Sequence, residues 1–185
     1  MSFLDDLPSD QRELIISLPY RVGVWVSHAD DAGGEEADDE EKIALSNILH
    51  GFTTDVFGSE VVQYVMAETI AHSAEWDRWG KNTSSLATDC QHAIDILNEA
   101  VDEKEVSAFK QRLLEIAEAV ALAFREYDKL DFVSKLRVYL MYYKERYQAA
   151  RKHRSFKTMD QYLNISLKER QALYSLANTL GVQYP

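Results

Sequence analysis

Fourteen residues, "HADDAGGEEADDEE" from His28 to Glu41, carry eight carboxylates. Hard cations such as calcium and magnesium take several oxygen ligands from a turn that can fold around the ion. Gly33 and Gly34 open backbone conformations that most residues avoid. The spacing is not that of an EF-hand. With Asp30 as position one, Glu41 falls at twelve, but Glu35 stands where the turn glycine belongs. Ala32 and Gly34 stand where oxygen ligands belong. The candidate metal ligands are therefore Asp30, Asp31, Glu35, Asp39 and Glu41, for a divalent cation such as calcium or magnesium. Two other uses of the same charge stay open. The segment could dock a basic protein surface without metal. It could also be a solvated turn in which Asp38 and Glu41 form a capping box, with acids favoured by the helix dipole.

A second constellation lies in "ETIAHSAEW", where Glu68, His72 and Glu75 fall at i, i+4 and i+7 on one helical face. Metal sites in helical bundles can be built this way, but carboxylate-bridged di-iron bundles use Glu-x-x-His and repeat it on a second helix. Here the spacing is Glu-x-x-x-His and no second copy appears. The simpler reading is a polar face beside core tryptophans, Trp76 and Trp79. Cys90, two residues before His92, reads as a small buried cysteine, not a nucleophile. The cluster Arg151, Lys152, Arg154 and Lys157 follows the tyrosine-rich "YLMYYKERYQ". It reads as a solvated helix end or an interaction surface. Phosphate-cradling glycine loops, nucleophile elbows and zinc-type cysteine pairs are absent from the sequence, so a non-enzymatic protein is expected.

Net charge is −11 over 185 residues, and the acidic segment supplies −8 of it, leaving −3 for the rest. A chain this acidic repels phosphate, which argues against nucleic-acid binding. The only cysteine is Cys90, so no intramolecular disulfide can form and a reducing compartment is expected. "MSFLDDLPSD" lacks the basic and apolar regions of a signal peptide, and no apolar run of membrane-spanning length occurs. A cytoplasmic protein is the expectation.

These residues must be held by helices, because the apolar positions recur at helical spacing and no segment alternates convincingly as a strand. Asp10 and Glu13 have capping-box spacing before a short helix with Leu14 and Ile15. Pro19 can open a second helix, "PYRVGVWVSHA", whose Val22–Val26 portion also tolerates a strand reading. A third helix is predicted from about 38 to 52. A fourth starts at Ser59 and runs to near Gly80, and a fifth runs from Ser84 or Ser85 to about Val101. A sixth has Phe109, Leu113, Ile116, Ala117, Val120 and Phe124 on its apolar face, and a seventh starts near 131. Ser166 and Glu169 make a capping box for the last helix, which Gly181 ends. The expected fold is all-α: a single compact domain over 1–185, of seven or eight helices. A weak repeat lays "RVGVWVSHAD" on "AVALAFREYD" and "DDEEKIALSNI" on "SLKERQALYSL", consistent with an internal duplication.

Two blocks, "WVSHADDAGGEEADDEEKIALSNIL" and "ISLKERQALYSLANTLGV", together resemble the tellurite-resistance TerB-like proteins. The first has an apolar helix ending in Ala-Asp, a short acidic glycine-containing turn and a helix entered through an acidic residue and a glutamate; the second has the serine, glutamate, leucine and terminal Leu-Gly of that family's last helix. The resemblance implies an all-helical protein of two similar halves, acidic clusters associated with divalent metal, and a part in metal and stress responses through complexes. By position it places Asp30 or Asp31, and Glu41, at the first acidic cluster, and Asp128 and Glu169 at the second. This chain departs from the pattern by expanding Asp-Gly to Asp-Asp-Ala-Gly-Gly. It also has a helical insertion at about 129–158 and no glycine beside Asp128. Protein partners, and self-association into a homo-oligomer, accompany this reading.

Overall fold

The computed structural model describes residues 3–29, 35–54, 58–81, 83–123, 142, 144, 146, 147, 165 and 167–184. Within them the protein is all-α. A 3-10 turn at Phe3–Asp6 precedes α1 (Ser9–Ser27), α2 (Glu35–Thr54) and α3 (Glu60–Ala71). A second 3-10 turn at Ser73–Glu75 leads into α4 (Trp76–Gly80). Then come α5 (Leu86–Ala100), α6 (Glu103–Ala123) and α7 (Leu167–Leu180). No described helix is long and apolar enough to cross a membrane. Phe124, the candidate helix from about 131, its basic cluster and Asp128 lie outside the described residues, apart from isolated helical positions at 142, 144, 146 and 147.

Helix α1 is the axis of the fold. It packs against every other α-helix described, and eleven of its residues, from Ile15 to Val26, are buried. A helix enclosed on all sides needs no polar face, which is why "PYRVGVWV" resembles a strand as much as a helix. Pro19 does not open a new helix. It sits inside α1, which runs unbroken through it. Interior proline costs about 3 kcal/mol by removing one hydrogen bond and crowding the previous turn. Burying a single large aliphatic side chain returns about 1.5–3 kcal/mol, and Ile15, Ile16, Leu18, Val22 and Val26 are all at most 3% exposed. Thr69 from α3 donates its hydroxyl to the Ile16 carbonyl at 2.7 Å, in the turn the proline disturbs.

The first capping box is also not formed. Pro8 occupies the N-cap of α1, with no side-chain cap bond, and Glu13 instead accepts from Arg78 and from the Trp79 indole of α4. Other helix ends follow the sequence. Ser59 caps α3 by accepting from the Val62 N–H at 3.1 Å. Asp102 does the same for the Glu105 N–H of α6 at 2.9 Å. Gly181, at φ +66°, closes α7. There the Val182 N–H reaches back to the Ala177 carbonyl, as a Schellman end requires. The long fourth helix is corrected. It breaks at His72, and the chain turns so that Trp76 stacks on Tyr20 at 4.7 Å and its indole N–H donates to the Thr69 carbonyl.

Candidate functional site

The acidic segment joins α1 to α2, the two ends of which pack together. Gly23 makes that approach close: a Cβ there would sit 2.3 Å from Leu45 Cδ1. α1 ends at Ser27, whose hydroxyl donates to the Val24 carbonyl. Asp30 and Asp31 lie outside the described residues, as do Gly33 and Gly34. The structure moves the other end of the segment. α2 starts at Glu35, not near Asp38, so Asp38 is inside the helix and is not its N-cap. Glutamate and alanine favour helix, and acids in a first turn complement the dipole, so the helix extends back through "EEADDEE". At 100° per residue, positions 35 and 39 stand about 40° apart around α2, whereas 39 and 41 stand about 160° apart. Among the candidate ligands Glu35, Asp39 and Glu41, only Glu35 and Asp39 therefore share a helical face.

The Glu68, His72 and Glu75 face is dismantled. The helix ends at Ala71, so Glu75 falls in the 3-10 turn and the i+7 relation is lost. Each carboxylate is matched to an arginine: Glu68 to Arg12 at 2.5 Å, and Glu75 to Arg78 at 2.8 Å. The His72 ring nitrogen lies 2.9 Å from the Glu68 carbonyl oxygen. A cation would have to displace these guanidinium groups. Among the described residues, no three of His, Cys, Asp and Glu gather into a group that could hold a metal ion.

Two interior features were not read from the sequence. Arg21, 5% exposed, pairs with Asp89 of α5 at 2.5 Å. Ser85 also donates to Asp89, at 2.6 Å. Burial alone would raise the Asp89 carboxyl, but the Ser85 and Arg21 hydrogen bonds outweigh it and hold it below the usual range. Cys90, next to this pair, is fully buried, and desolvation pushes its thiol up to about 12. That suits the core cysteine expected and gives no thiolate nucleophile near neutral pH. The second feature is a cleft of about 380 Å³ where α1, α2 and α4 meet, walled by Tyr20, Val24, Leu45 and Gly80, with His28, Lys42, Asp77 and Lys81 around it.

No family model, curated protein or solved structure matches this chain. Its site is thus described by its own geometry. In the second acidic block, Glu169 sits in the first turn of α7, where a capping-box glutamate belongs, and is 2% exposed. Its expected partner Ser166 and the other acid, Asp128, lie outside the described residues. Arg21 offered one readable signal, a cation set in an apolar run. The cleft offered none, because its residues come from three helices.

Proposed function

We propose that this protein is a non-enzymatic, TerB-like helical binding module that acts through the acidic segment between α1 and α2. The leading reading is a hard divalent cation, calcium or magnesium, held by oxygens drawn from Asp30, Asp31, Glu35, Asp39 and Glu41. The observation that carries it is the concentration of eight of the chain's carboxylates within fourteen residues, two on the connection between two closely packed helices and six in the first turns of the second. A cation there relieves mutual repulsion that a flexible surface would otherwise relieve by spreading. The resemblance to TerB-like proteins extends the proposal to a metal or stress response carried out with protein partners.

A second reading has a basic partner surface in place of the cation. The helical start of α2 favours it, since acids about 160° apart around an axis suit a broad electrostatic surface better than one ion. Thermal melts with calcium, magnesium, manganese or EDTA, against sodium chloride of equal ionic strength, separate the two. At about 100 times its dissociation constant, a bound cation adds roughly 2.7 kcal/mol. For a chain of this size that raises the midpoint by about 5–10 °C. Midpoints identical across the set would remove the cation and leave the partner surface.

A further inference from the structure

The cleft between α1, α2 and α4 adjoins the acidic segment at His28 and Lys42, and its lining is of another chemistry. Its floor is apolar, from Val24 and Leu45, and its volume of about 380 Å³ lies within the range of small-ligand pockets. Tyr20 is 3% exposed, held by its stack on Trp76, and every fully enclosed polar side-chain atom among the described residues has a hydrogen-bond partner. The Tyr20 hydroxyl has no such partner, so it opens on the cleft. Gly80 leaves it room, for a Cβ at that position would sit 3.8 Å from the hydroxyl oxygen. Burial and the neighbouring Asp77 keep the phenol protonated, so it is a donor. Lys42 pairs loosely with Asp77 at 3.8 Å, while Lys81 makes no ion pair among the described residues. Among the described residues that line the cleft, two ammonium groups, Lys42 and Lys81, stand against one carboxylate, Asp77.

We propose that this cleft binds a small organic anion with a short apolar body, its single negative charge on Lys81 and the Tyr20 hydroxyl and its body over Val24 and Leu45. A carboxylate and a phosphate ester share this chemistry, and with Lys42 engaged by Asp77 the single ammonium of Lys81 favours the singly charged carboxylate. The test is an amide-resonance titration of the full chain with butyrate, butyl phosphate, butyramide and butylamine. Butyrate should give saturable shifts at Val24, Leu45, Gly80 and Lys81, with a dissociation constant on the order of millimolar, as expected for so few atoms. Butyl phosphate should bind more weakly; tighter binding by it would identify the phosphate ester as the ligand class. Butyramide should not saturate. Lys81→Gln and Tyr20→Phe should each weaken butyrate about tenfold, the range of a lost hydrogen bond to a charged group. The phenylalanine retains the stack on Trp76, so the fold survives. Gly80→Ala, whose methyl finds ordinary contact distances, should narrow the cleft and weaken butyrate as well. No saturable shift from either anion would overturn the proposal. So would butyramide or butylamine binding as well as butyrate, or both Lys81→Gln and Tyr20→Phe binding like the unaltered chain.

Discussion

Arg21 and Asp89 show how one pair ties pH to stability. Asp89 and Glu13 both titrate below their ordinary values. Arg78's hydrogen bond dominates at Glu13. At Asp89, Ser85 and Arg21 outweigh burial. A carboxylate with a depressed folded pKa contributes its full stability above its unfolded value, near 4, and loses it as pH falls through the folded one. Denaturant unfolding should therefore give constant stability from these groups at neutral pH and a decline below about pH 4. Asp89→Asn should cost on the order of 2 kcal/mol at pH 7, less than the 3–5 for breaking a fully buried pair. Asp89 keeps 23% of its side chain exposed, and Arg21 retains Ser85. The variant should also flatten the acid limb. If its stability tracks the unaltered chain at every pH, the pair is not the source of that dependence.

Helix pairing makes a sharper demand than any cap. Gly23 faces Leu45, and an added methyl would lie 2.3, 3.1 and 3.3 Å from three of its carbons. The whole leucine side chain would have to move, and it is only 2% exposed. Helix propensity alone would make Gly23→Ala stabilising by up to about 1 kcal/mol. Overpacking costs about 1–3 kcal/mol, so the net expected change is destabilisation. Adding Leu45→Val, which removes one carbon at the contact, should recover part of the loss, so the two changes should couple in a double-mutant cycle. Simple additivity would mean that α1 and α2 do not meet through these residues. The same logic explains Pro19. The helix containing it is decided by what surrounds it, not by its own propensity.

Charge is the property of the whole molecule, and eight of its eleven net negative units sit in one segment. Neutralising four of them, Glu35→Gln, Glu36→Gln, Asp39→Asn and Glu40→Gln together, should leave the fold intact. Each amide keeps the size of the acid it replaces, so the change is chiefly one of charge. The divalent increment in melting temperature should disappear in this variant while the sodium chloride response persists. Pull-downs at low and high salt provide the counterpart for a basic partner. Exposed charges are screened over about 8 Å at physiological ionic strength, so capture should fall with salt and with the four substitutions. Capture of the same proteins under all four conditions would place the docking surface elsewhere.

The all-α class was legible in the periodicity of α6, where Phe109, Leu113, Ile116, Ala117 and Val120 are all buried in the core as their spacing requires. Ser59 and Gly181 were legible too, because a cap is chemistry between residues a few positions apart. Buried Cys90 followed from its type. What the sequence could not settle depended on neighbours far along the chain. Pro19 reads as a helix start until the helix that holds it is packed against six others. Asp10 and Glu13 read as a box until Arg78, sixty-five residues away, takes Glu13. Glu68, His72 and Glu75 read as one face until Tyr20 draws Trp76 into a stack and the helix breaks between them. Local hydrogen bonds and periodicity are written in short windows of sequence. Burial, ion pairing and the cleft beside Tyr20 arise only when distant segments share the same few ångströms, so the tertiary structure alone decided them.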